Sequence, residues 1–68
     1  MDPDDARLAA RLREARGFAG LSQEGLARRV GCSTSVVVKW EKGERRPSLG
    51  MLRRLADCLG VLLSSLLD

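Results

Sequence analysis

The chain has 68 residues, enough for one domain (1–68) with a thin core. Twelve basic residues stand against nine acidic ones, a net charge of +3, with two cysteines and neither histidine nor tyrosine. Without histidine there is no side chain of near-neutral pKa and no Ser/His or Cys/His pair, so an enzyme is not expected. Two thiols cannot complete a zinc site within one chain, so neither a metal nor a cofactor is expected. No apolar run reaches spanning length and no signal peptide stands at the start. Cys32 and Cys58 therefore read as reduced, small buried residues of a cytoplasmic protein that does not enter membranes.

Asp2-Pro3-Asp4-Asp5 is a helix start: acceptor side chains, a proline tolerated in the first turn, and negative charge at the positive end of the helix dipole. Leu8, Leu12, Ala15 and Ala19 follow at helical spacing, and Gly20 ends this first helix. Phe18 is expected to fold over the end of the core. Ser22 caps a second helix, Gln23 to Val30, with Leu26, Ala27 and Val30 inward. Gly25 within it costs about 1 kcal/mol relative to alanine. Gly31 permits a positive-φ turn, Ser33 caps a third helix from Thr34 to Lys42, and Gly43 stops it.

Residues 44–47 form a loop, and Pro47-Ser48 opens a fourth helix burying Leu49, Leu52, Leu55, Ala56 and Leu59 before Gly60. The segment Val61 to Leu67 is a last, almost wholly apolar helix, with Leu63, Leu66 and Leu67 closing the core. There is no strand-period alternation and no repeat. The expected fold is all-α, a compact bundle of five short helices.

Residues 22–43 have the shape of a helix-turn-helix, whose second helix fits a DNA major groove. Val37 and Trp40, three apart, point inward, so Thr34, Ser35, Val38 and Lys39 fall toward the outer face. Charge distribution agrees. Asp2, Asp4 and Asp5 crowd the N-terminus, while Arg28, Arg29, Lys39, Lys42, Arg45, Arg46, Arg53 and Arg54 make the middle basic. Arg7, Arg11, Arg13, Arg53 and Arg54 read mostly as solvated surface.

These residues resemble the Cro/repressor (XRE-type) helix-turn-helix family, whose members have a lambda-repressor-like DNA-binding domain. The resemblance runs through Leu12 and Arg16, Gly20-Leu21-Ser22-Gln23, Leu26-Ala27, Gly31, Val37, Trp40-Glu41 and Gly43. It continues in Pro47-Ser48-Leu49, Leu52, Leu55-Ala56, Leu59-Gly60-Val61 and Leu66, covering residues 8 to 67. It implies that Gln23 binds a backbone phosphate and that Thr34, Ser35 and Lys39 face the bases. Ser33, Lys42, Arg45 and Arg46 would approach phosphates. Arg16 and Glu41 would form an internal ion pair between the first and third helices. Three features depart from the family: valine at 36 and 38 where polar residues are usual, Leu62 in place of a capping serine, and glycines at 17, 25 and 50.

The resemblance also implies dimerisation near the fourth and fifth helices, through a patch of Leu59, Leu62, Leu63 and Leu66 centred on Leu62. The expected function is a sequence-specific DNA-binding transcriptional regulator, a repressor that binds a palindromic operator on double-stranded DNA as a homodimer. With the domain filling the chain, no attached sensor is expected. The alternative is a protein-interaction adaptor or antitoxin partner, in which a protein takes the place of DNA as partner.

Overall fold

The computed structural model describes residues 2–68. Helix α1 spans Pro3–Phe18, α2 Gln23–Val30, α3 Thr34–Lys42, α4 Leu49–Leu59 and α5 Leu63–Leu67, with no strand among the described residues. Local chemistry sets most of these limits. The Asp2 carboxylate accepts from the Asp4 amide at 2.8 Å at the start of α1. Ser22, Ser33 and Ser48 do the same for the amides of Gly25, Val36 and Met51, at 2.9, 3.3 and 3.1 Å. Gly31 and Gly43 bracket α3 in left-handed conformations, φ +79° and +74°, which a Cβ would resist.

Helix α1 packs on α3 and α5, α2 packs on α3 and α4, and α4 also meets α5. The shared core holds Leu8 and Leu12 of α1, Leu26 and Val30 of α2, Val37 and Trp40 of α3, Leu52 and Leu55 of α4, and Leu66 of α5. Each fully buried leucine contributes roughly 1.5–3 kcal/mol through removal of apolar area from water.

Several details differ from the sequence reading. Helix α5 begins at Leu63, with Leu62 at its N-cap making no side-chain cap bond, so residues 61 and 62 lie outside it. Leu49, the first residue of α4, is three before the buried Leu52 but is itself 56% exposed, so the buried stripe of that helix begins at Leu52. Ala19 is an exposed C-cap rather than part of the α1 stripe. Phe18 is 88% exposed and does not fold over the core. Six residues past Leu12 at 100° each, it points about 120° away from that core residue. Leu67 is likewise exposed rather than closing the core. Cys32 and Cys58 are free thiols, half-buried at the core margin rather than within it.

Candidate nucleic-acid interface

The third helix divides into two faces. Val37, Trp40 and Glu41 are buried, and Val36 packs half-buried on the core. Thr34, Ser35, Lys39 and Lys42 are exposed and Val38 half-exposed. At the N-terminal end the Ser33 and Ser35 hydroxyls stand 3.2 Å apart, so the cap residue also restrains its exposed neighbour. Nine residues at 1.5 Å each make this helix about 13 Å long, close to the roughly 12 Å width of a B-DNA major groove.

A buried charge holds α3 in place. Glu41 is 3% exposed, and is the buried charged side chain among the described residues. Its carboxylate accepts from Arg16 twice, from Nε at 2.7 Å and Nη2 at 3.0 Å, and from Gln23 Nε2 at 3.1 Å. Arg16 gives its remaining terminal nitrogen to the Leu21 carbonyl at 2.9 Å. A bidentate, fork-to-fork pair of this kind is the strong form of an ion pair. The Glu41 hydrogen bond holds the Arg16 pKa above its ordinary value against the opposing effect of desolvation, with Coulombic attraction to Glu41 adding to the rise. One carboxylate thus joins α1, the start of α2 and the last turn of α3.

Gln23 belongs to this network as well as standing first in α2, a structural role the sequence reading did not assign. Two arginines read as solvated surface are also tied down. Arg13 donates to the Glu41 carbonyl near the C-terminal end of α3, and Arg11 Nη1 donates to the Ser65 carbonyl of α5 at 3.2 Å. The signal for Arg13 is its spacing of three from Arg16, which puts both on one face of α1.

Beyond Gly43 the chain exposes Arg45 and Arg46. Arg45 stands free among the described residues, whereas Arg46 Nη1 donates to Asp5 Oδ1 at 3.1 Å. Arg28 pairs with Glu24 one helical turn earlier, at 2.7 Å.

The apolar patch at the C-terminal end is smaller than expected. Leu59 and Leu66 are buried core residues, and Leu63 packs half-buried against that core. The short α5 must turn its apolar side onto α1 and α4 to be held at all, which consumes Leu63 and Leu66, while Leu59 ends the buried face of α4. Leu62, outside the helix, remains 73% exposed.

Comparison with known proteins places this geometry. The family model described as a helix-turn-helix domain matches residues 7–66. The chain belongs to the XRE-like helix-turn-helix family of transcriptional regulators. An uncharacterized HTH-type transcriptional regulator of Methanothermobacter thermautotrophicus is 45% identical over 49 residues, 72% of this chain and 71% of that protein. The restriction-modification controller protein C.AhdI from Aeromonas hydrophila superposes with a TM-score of 0.90 at 38% identity, over 96% of this chain and 98% of that one. The fold also occurs inside a larger enzyme, hydroxypropylphosphonic acid epoxidase from S. wedmorenis. There the TM-score is 0.91 at 26% identity, over all of this chain but 36% of that one. Among the described residues no helix is long and apolar enough to cross a membrane.

Proposed function

We propose that this regulator is a cytoplasmic repressor that reads an inverted-repeat operator as a homodimer, with α3 in the major groove of each half-site. The observation that carries the reading is the outer row of exposed Thr34, Ser35 and Lys39 with half-exposed Val38, on a helix anchored from behind by the pair of buried Glu41 with Arg16. Lys39 suits guanine O6 and N7, and the methyls of Thr34 and Val38 suit the C5 methyl of thymine. Because α3 is about as long as the groove is wide, residues at its two ends meet the phosphate walls. Those residues are Ser33 at one end, and Lys42, Arg45 and Arg46 at the other, with Gln23 beside that second end through its bond to Glu41. They position the helix, and the outer row reads sequence.

A single thin domain contacts few base pairs, so a second copy related by two-fold symmetry supplies the affinity. Leu62 is the exposed apolar residue around which that contact is proposed. Among a phage switch, an antitoxin-type autorepressor and a restriction–modification controller, the near full-length likeness to C.AhdI favours the controller. A methylase or nuclease gene beside this one is the corresponding genomic expectation.

Selection of bound duplexes from a random pool tests the reading. An inverted repeat with half-site centres about one helical turn apart, and binding that falls steeply with salt, is the expected result. The occurrence of this fold within an epoxidase keeps the adaptor reading as the competitor. No enriched motif, together with salt-insensitive association with a protein, would favour that competitor.

A further inference from the structure

The basic loop after α3 does not present both of its arginines alike. Arg45 is exposed and, among the described residues, has no ion-pair partner, whereas Arg46 is held by Asp5, forty-one residues earlier in the chain. Asp5 lies in the first turn of α1, where the sequence concentrates Asp2, Asp4 and Asp5. The three carboxylates are used differently. Asp2 caps the helix through the Asp4 amide, the Asp4 side chain is exposed, and Asp5 reaches across to the loop.

We infer that Asp5 sets the DNA affinity of this protein from outside the interface, by competing with a backbone phosphate for the Arg46 guanidinium. The inference rests on the DNA-binding reading above. To a guanidinium, a carboxylate and a phosphate are alternative oxyanions. Placing Arg46 on a phosphate either breaks the pair with Asp5 or brings that carboxylate close to the phosphate, where like charges repel. Both routes subtract from binding. The pair is solvent-exposed on both sides, so its strength is modest, and its removal is expected to tighten binding roughly two- to fivefold per protomer. Asp5 is thus a positioning residue that acts through Arg46, and it leaves Arg45 and Lys42 free to begin the encounter.

The test is a double-mutant cycle on affinity for a duplex recovered by the selection, read by fluorescence anisotropy at fixed salt. The proteins are wild type, Asp5→Asn, Arg46→Gln and the double variant, with Asp4→Asn as a control. Asp4→Asn removes one negative charge from the same helical turn without touching the pair, so it measures the general field. Asp5→Asn is expected to bind tighter than Asp4→Asn, and its advantage is expected to vanish when Arg46 is already glutamine. Equal gains from Asp4→Asn and Asp5→Asn, or a gain undiminished in the Arg46→Gln background, would overturn the inference and leave the DNA-binding reading standing. Failure of every variant and of wild type to bind any duplex would overturn both. Matched circular dichroism melts confirm that the two asparagine variants, each losing one acid from the first turn, are equally folded.

Discussion

Removing Arg16 should be the most damaging single change to a charged residue in this domain. In Arg16→Met the aliphatic stem is kept, but Glu41 loses two of its three side-chain donors while remaining 3% exposed. Stranding one member of a buried pair costs about 3–5 kcal/mol. The lower end applies here, because Arg16 is itself 21% exposed and Gln23 still donates to Glu41. A domain of 68 residues is expected to have a total stability of roughly 3–10 kcal/mol, so the variant loses a third of it or more. With a urea m-value of about 1 kcal/mol/M, the lower end of the range for small proteins, the unfolding midpoint falls by about 3 M. The companion variant Arg16→Met/Glu41→Leu removes the stranded charge and should recover most of the loss. A midpoint shift below about 0.5 M for Arg16→Met would show that the pair behaves like a solvated surface bridge, and the account of how α3 is held would fail.

Lys39→Ala should weaken operator binding by about 1–3 kcal/mol and relax preference at one position of each half-site, read by repeating the selection with the variant. Uniform weakening without relaxed preference would reassign Lys39 to phosphate. Leu62→Asp should leave the fold intact, read as an unchanged far-UV circular dichroism spectrum, but shift sedimentation toward monomer; a variant that stays dimeric would remove Leu62 from the interface. Gly31→Ala should cost about 1–2 kcal/mol from backbone conformation alone, since a Cβ there meets nothing within 4 Å. Gly17→Ala, equally unobstructed but in an ordinary helical conformation, should stabilise by about 0.5 kcal/mol. The Cys32 thiol is pushed up from its ordinary pKa by burial. The unfolded thiol therefore ionises first, and stability should fall as pH rises above about 8.5, less steeply in Cys32→Ser. Identical slopes for the two proteins would refute that assignment.

What could be read from sequence was local chemistry. The cap at each serine and the reversal at Gly31 and Gly43 depend on residues within four positions of one another, so their signatures are contiguous. The inward residues of α2 and α3 follow from helical period because each helix packs on two others, α2 on α3 and α4 and α3 on α1 and α2. Leu49 and Phe18 defeat the same reasoning at helix ends. Period fixes the direction of a side chain, but exposure depends on how far the neighbouring helices extend. Leu63 and Leu66 show the converse limit, since a surplus of leucine near the C-terminus does not say which of them a five-residue helix must spend on its own attachment. The partners of Arg11 and Arg13 are main-chain carbonyls, which carry no residue signature, and Asp5 and Arg46 are brought together only by the closed bundle.

The composition of α3 explains why the anchoring matters for recognition. Its nine residues include three valines, a threonine, a serine and a tryptophan, none of them a strong helix former. A helix this short is not stable in water even with favourable residues, because nucleation is costly. The reading surface therefore has little independent existence. It persists because Ser33 and Gly43 satisfy its ends, because Val37 and Trp40 are buried, and because Glu41 is bound by α1 and α2. Each of these contacts is also a contact that holds the domain together. Variants that loosen the Glu41 network should thus lose operator affinity in step with global stability, whereas variants of the outer row should lose affinity with stability unchanged. Measuring both quantities on one panel separates residues that hold the helix from residues that read DNA. An Arg16 variant with intact affinity at a temperature where most of the chain is unfolded would contradict the coupling.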